Sequence, residues 1–161
     1  MPAAYETKEV DYGSFTQLSV TIPWGDVATA YYSTGISNIK VFMAASDQIV
    51  KQMKWSNRLR WLLKMPAVKR FLQKRIDRKV WGPTEEQRQK GKSYIWGQVA
   101  GEEGRVEEAR MATPDGYTLT ARSSVAIMQN IVQKNYVVGF QTPSLAYGPD
   151  FVLQIDGCER Y

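Results

Sequence analysis

Residues Phe15–Ile22 (FTQLSVTI) are rich in β-branched and aromatic side chains and are closed by Pro23, which predicts a strand. The following WGDVATAYYSTGISN predicts a helix with Asp26 as N-cap and Gly35 as its stop. Asn38–Ala45 (NIKVFMAA) reads as a second strand, and Ser46-Asp47 as a new helix start. From there Ile49, Met53, Leu59, Leu62, Leu63, Val68, Phe71, Leu72 and Ile76 fall at helical spacings, interrupted only at Pro66. Two helices, 47–64 and 67–79, are expected, with Trp81-Gly82-Pro83 as their stop and TEEQRQKGKS as a polar connection. Lys92–Ala100 and Arg105–Ala112 predict a β-hairpin across Gly101-Glu102-Glu103-Gly104. Pro114-Asp115-Gly116 marks a turn. Thr118–Lys134 is amphipathic at helical period, with Leu119, Ala126, Ile127 and Ile131 on one face. Gly139–Pro149 is punctuated by glycine and proline, and Phe151–Ile155 reads as a final strand. Helices and strands mix without a βαβ rhythm. The expected class is therefore α+β, a mixed or largely antiparallel sheet with helices packed on one face. Residues 1–161 show no repeat or linker and are expected to form a single domain.

Composition narrows the function classes. The 161 residues are 43% hydrophobic and 23% charged, as in ordinary soluble globular proteins. No apolar run approaches the roughly eighteen residues of a membrane span, and the N-terminus lacks the plan of a signal peptide. The lone cysteine, Cys158, cannot form an internal disulfide, which together with these features suggests a cytoplasmic protein. Histidine is absent, which removes the commonest general base, every His-containing triad and nearly all zinc sites. A self-contained hydrolase or metalloenzyme is disfavoured, and no metal site is expected.

Charge is unevenly distributed. Eleven basic residues and one acid, Asp77, lie between Lys51 and Lys79, a net +10. The rest of the chain carries ten basic and fifteen acidic residues, a net −5. Such a segment suits either an anionic partner or a solvated helix face. Trp55, Trp61 and Phe71 interleave with the charges, so helices 47–79 fit an anionic membrane surface, and fit equally a surface helix pair with its apolar stripe in a core. No nucleic-acid motif accompanies the charge, and no nucleic-acid partner is expected.

Candidate chemistry is sparse. No two glycines stand two apart, so the G-x-G-x-x-G dinucleotide fingerprint is missing, as is a Walker lysine loop. WGDVATAYYSTG gathers Thr29, Tyr31, Tyr32, Ser33 and Thr34 around two glycines. That pattern fits a cradle for a small polar or anionic ligand at a helix start, and also a capped helix with close-packing residues. GFQTPSLAYG is a second such cluster, either lining a site or stiffening a connection. Asp26, Arg122 and Asp150 are candidate charged contacts, although exposed charges and caps are commoner roles.

Four strings in order, IPWGDVATAYYSTGISNIKVFM, WGPTEEQRQKGKSYIWGQVAGEEG, ATPDGYTLTARSSVAIMQNIV and GFQTPSLAYGPDFVLQIDG, resemble the C-terminal half of saccharopine dehydrogenase-like oxidoreductases. The resemblance covers roughly residues 11–157. It implies a C-terminal α+β domain that supplies substrate cleft and subunit contact, with the NAD(P)-binding Rossmann domain absent from this chain. Implied partners are a Rossmann domain in cis or trans, a second copy in a homodimer and a small-molecule substrate. NAD(P) is implied for the full-length protein, with no cofactor in this chain. Carried over by position, Trp24, Gly25, Asp26, Thr29, Tyr32, Ser33, Thr34 and Gly35, with Gln141, Thr142 and Pro143, are the implied substrate-cleft residues. No catalytic proton donor is assigned, and the isolated chain is expected to be inactive. The family's name does not establish lysine metabolism here. The alternative expectation is a stand-alone peripheral membrane or lipid-binding module using basic helices 47–79.

Overall fold

A computed structural model of the chain describes residues 3–59, 61, 65–79, 82–101 and 103–161, with the side chains of 77–79 outside that description. Its architecture is α+β: six helices and two antiparallel three-stranded sheets among the described residues. In chain order they are β1 (Thr7–Asp11), β2 (Thr16–Thr21), α1 (Asp26–Thr34), β3 (Phe42–Ala44), α2 (Asp47–Arg58) and α3 (Pro66–Lys79). There follow α4 (Glu85–Lys90), β4 (Lys92–Ala100), β5 (Val106–Pro114), α5 (Gly116–Val132), α6 (Pro143–Tyr147), a 3-10 turn (Phe151–Gln154) and β6 (Glu159–Arg160). Contacts gather in two compact units, one of Met1–Val10, Thr16–Tyr31 and Ile36–Pro83, the other of Asp11–Phe15, Tyr32–Gly35 and Thr84–Tyr161.

In the first unit β2 is the central strand. It pairs antiparallel with β3 in the register Ser19–Ala44, Val20–Met43 and Thr21–Phe42. Ser19, Val20 and Thr21 are all buried, so this strand is covered on both faces at its end. The Thr21 hydroxyl ties β2 to the start of β1, accepting from the Glu6 N–H at 3.0 Å and donating to its carbonyl at 3.4 Å. Val20, Ala4, Ala45 and Val50 form the core, with Leu18 and Met53 packed against it. Val50 and Met53 lie on neighbouring turns of α2, which is how that helix reaches the core. The predicted cap holds: Ser46 Oγ accepts from the Ile49 N–H at 3.4 Å. Asp47 in the first turn and Arg58 in the last complement the helix dipole. Asn57 Nδ2 donates to the Ala3 carbonyl at 2.6 Å and anchors the far end. Pro66 is the first residue of α3, where its missing N–H costs nothing. Leu62, Leu63 and Trp81, expected in these helices or at their stop, lie outside the described residues, as does Glu102 of the hairpin turn.

In the second unit β4 and β5 form the predicted hairpin, nine residue pairs from Lys92–Pro114 to Ala100–Val106. Gly101 N–H donates to the Arg105 carbonyl at 2.8 Å and closes the loop. The short β6 adds at Met111–Arg160 and Ala112–Glu159. Asp115 caps α5, its carboxylate accepting from the N–H of Tyr117 at 3.0 Å and of Thr118 at 3.4 Å and from the Thr118 hydroxyl. Leu119, Ala126 and Ile127 of α5 pack on Phe151, Ile155 and Cys158, joined by Tyr147 and Val152.

Several expectations are corrected. Phe151–Ile155 is not a strand: Leu153 N–H bonds the Asp150 carbonyl and Ile155 N–H the Val152 carbonyl, a tight turn that puts Phe151 and Ile155 together into the core. The strand expected over 38–45 is regular only at Phe42–Ala44. The polar connection contains a helix, α4, held by a capping box. Gln87 N–H bonds Thr84 Oγ1 at 3.3 Å, and Thr84 N–H bonds Gln87 Oε1 at 2.9 Å. Strands β1 and β6 and helix α6 are additions to the predicted set. Helix α5 starts two residues early because Asp115 is its cap. It ends when Lys134 takes a left-handed φ of 61° and Asn135 N–H reaches the Asn130 carbonyl at 2.9 Å.

Candidate functional site

The C-terminal end of α1 and the segment leading into α6 meet within the second unit. Tyr32 and Ser33 are consecutive helical residues, and Gly35 at φ 71° ends the helix where a side chain would be strained. Tyr32 Oη donates to the Phe140 carbonyl at 2.8 Å, and the two rings stand edge to face with centroids 4.9 Å apart. Ser33 Oγ and Thr142 Oγ1 are 2.8 Å apart, and Thr142 Oγ1 lies 3.2 Å from Ser144 Oγ. Thr142 is buried and holds the N-cap position of α6, yet its hydroxyl does not cap that helix. It is committed instead to the serines on either side. Tyr32 and Phe140 are 50% and 63% exposed, so the hydroxyl chain has a solvent-facing aromatic rim.

This arrangement offers hydroxyl donors and acceptors on a partly apolar wall. It suits the hydrogen bonding of a small polar ligand and contains no imidazole, carboxylate or amine for proton transfer at neutral pH. Of the residues singled out in the sequence, Tyr32, Ser33 and Thr142 come together here. Thr34, Gly35, Gln141 and Pro143 are their chain neighbours, with Gln141 half-buried and Pro143 the first residue of α6. Phe140 and Ser144 complete the cluster and were not singled out. They stand in the same GFQTPS string, one residue outside the chosen positions.

Trp24, Gly25, Asp26 and Thr29 belong to the first unit, at the start of α1. Asp26 is the first helical residue rather than the N-cap. The Gly25 carbonyl accepts from the N–H of Ala28 at 2.9 Å and of Thr29 at 3.3 Å, so glycine holds the cap position. Thr29 Oγ1 donates to the Asp26 carbonyl at 3.2 Å, inside the helix. The Val27 N–H bonds the Trp24 carbonyl at 3.4 Å. With the Val27 and Ala28 donors closed internally, the geometry here favours a capped helix over an anion cradle.

Other candidate charges have structural partners. Arg122 Nη1 donates to the Asp156 carbonyl at 2.6 Å and to its carboxylate at 3.2 Å, and Asp150 pairs with Arg160 at 2.8 Å. Burial pushes the Cys158 thiol above its ordinary pKa, with Arg122 pulling the other way and Asp156 adding to the rise, so a reactive thiolate is disfavoured. Asp115 is shifted down, first by the hydrogen bond from the Thr118 hydroxyl, which fits an N-cap carboxylate. Among the described residues no group of three His, Cys, Asp or Glu side chains is placed to hold a metal ion.

Sequence reasoning missed a feature of α5. Val125, Met128 and Val132 form an exposed stripe on that helix, distinct from its core residues. With Ser124, Gln129 and Gln133 they line a shallow groove of about 380 Å³. The signal was present as apolar residues on two faces of one helix, more than a single core requires.

Among the described residues both sheets are antiparallel. No helix among the described residues is long and apolar enough to cross a membrane. Comparison with known proteins found no matching family model, no similar curated protein and no similar solved structure.

Proposed function

We propose that this chain is the substrate-binding and dimerisation domain of a saccharopine dehydrogenase-like NAD(P)-dependent oxidoreductase, incomplete as a catalyst without a Rossmann domain. One observation carries the reading. Two strings of the resemblance 108 residues apart, AYYSTG and GFQTPS, converge through the Tyr32–Phe140 contact, and Ser33 and Thr142 stand 2.8 Å apart beside it. Their hydroxyls and aromatic rim are the kind of surface that orients a small polar substrate. The chain's residues would then bind and orient substrate, while the absent domain supplies the cofactor that carries hydride chemistry.

The exposed stripe of α5 supports the dimerisation part. The helix carries a single charged residue, Arg122, so a second copy of the same face meets little repulsion. Light scattering at micromolar concentration tests this: a dimer is expected, lost in Val125→Glu with Met128→Glu, and a monomeric parent chain would refute it. The domain reading is tested by titrating NADPH and NADH into the chain by calorimetry. No binding is expected at submillimolar cofactor. Tight, saturable uptake would refute it.

A further inference from the structure

We infer that helices α2 and α3 form a docking surface for an anionic lipid bilayer, with Trp55, Trp61 and Phe71 entering the interface and the basic residues around them meeting the headgroups. This inference is independent of the proposed oxidoreductase role.

The placement of Trp55 is the decisive feature. Val50 is buried and Met53 packs on the same core, which fixes the inward face of α2. At 3.6 residues per turn, Trp55 lies roughly 140° from Val50 and roughly 160° from Met53, on the outward face. It is 64% exposed and has no role in that core. Lys51 and Arg58, four residues before and three after, share its face, and both are exposed, as is Lys54. A tryptophan set among cations on the side away from the core has the composition of an interfacial anchor.

Helix α3 repeats the arrangement. Val68, Phe71, Leu72 and Ile76 lie at i, i+3, i+4 and i+8, one apolar face. A core-facing stripe would be buried, yet Phe71 is 66% exposed and Ile76 54%. Trp61 and Met65, just before the helix, are exposed as well. Lys69, Arg70, Lys74 and Arg75 accompany them in solvent.

Charge selects the occupant. The segment Lys51–Lys79 is net +10 in a chain whose remainder is net −5, so an anionic plane is attracted to this region and repelled by the rest. A polyanion such as RNA would satisfy the charges and the aromatic rings. It would leave the aliphatic Met65 and Ile76 without a function, since they offer nothing on which a base can stack. A bilayer interface uses cations, aromatic rings and aliphatic side chains together.

Co-sedimentation of the full chain tests the inference, using phosphatidylcholine vesicles with and without phosphatidylglycerol. The chain is expected to pellet with the phosphatidylglycerol vesicles at low salt, to stay in solution with phosphatidylcholine alone, and to be released by raised salt. Each basic residue removed should weaken binding about fivefold, so K51Q/K54Q/R58Q should lose about a hundredfold. W55A/F71A should weaken binding at least tenfold with an unchanged far-ultraviolet circular dichroism spectrum, both side chains being exposed. The inference is overturned if the chain stays in solution with anionic vesicles, or pellets equally with both kinds. It is also overturned if W55A/F71A binds as well as the parent chain, or if polyuridylate is bound while vesicles are not.

Discussion

The hydroxyl cluster of the second unit and the basic helices of the first differ in how they are assembled and in how they act. The cluster joins Ser33 to Thr142 across 109 residues of chain and acts through neutral hydrogen bonds of 2.8–3.2 Å. The helices draw their property from one continuous run, Lys51–Lys79, and act through charge that is felt over a Debye length. The first site exists only when the tertiary fold holds it. The second needs only the two helices and the small first-unit core that turns Val50 and Met53 inward. The cluster should therefore respond to mutations in the core of the second unit and ignore salt, and the helices should do the reverse.

The largest expected effect tests the dependence on the core. Phe151 is buried beneath α5 and α6 and packs against Tyr147, the two rings tilted by 34° with centroids 5.0 Å apart. Phe151→Ala is expected to destabilise the second unit by about 3–5 kcal/mol, read by chemical denaturation. Anionic vesicle binding through α2 and α3 should change little, and loss of both properties together would erase the contrast. Next is salt. Raising ionic strength across the physiological range should reduce vesicle binding steeply and leave the denaturation midpoint nearly unchanged. Third, Thr142→Val keeps the shape of the side chain and deletes its hydroxyl, removing bonds to Ser33 and Ser144. A loss of about 1–2 kcal/mol in stability is expected, with vesicle binding unaffected.

The smallest effect is in the acid limb. The hydrogen bonds Asp115 accepts hold its pKa below the usual carboxylate value in the folded chain. Its contribution to stability is thus fully present above the unfolded-state pKa and is lost as pH falls through the folded-state value. Asparagine caps helices about as well as aspartate, so Asp115→Asn should keep α5 and flatten the stability profile in that acidic window alone. A variant whose acid limb matches the parent would remove Asp115 from the account.

The same contrast separates what could be read from sequence from what could not. Local chemistry was readable. The hairpin of β4 and β5 follows from β-rich runs around Gly101–Gly104, and α2 starts where Ser46 announces it. The +10 run is visible by counting. Elements whose stability comes from pairing or capping were not readable by hydrophobic period. Helix α4 has no apolar stripe and stands on the Thr84–Gln87 box and on ion pairs within the helix, Glu85 with Arg88 and Glu86 with Lys90. Strand β6 is two residues long and exists because Met111 and Ala112 pair with it. FVLQI, with apolar residues at both two- and four-residue spacings, fits a strand or a helical turn equally, and the core contact of Phe151 with Ile155 decides for the turn. For the site, no spacing rule links Ser33 to Thr142. Each stood in its own hydroxyl-bearing cluster and was carried over by the family resemblance, and their meeting came from the fold. Trp55 was visible as an aromatic among cations, but its outward position required knowing that Val50 and Met53 face the core.

The central claim, that this chain completes its site with a dinucleotide-binding domain, is tested most directly on the native protein. Immunoprecipitation with an antibody to the chain, followed by mass spectrometry of the intact species, reads the answer in one step. The account predicts a glycine-rich Rossmann domain, either in the same polypeptide or as a tightly held subunit. Recovery of the 161-residue chain alone, as a monomer or as a dimer of itself, would contradict it.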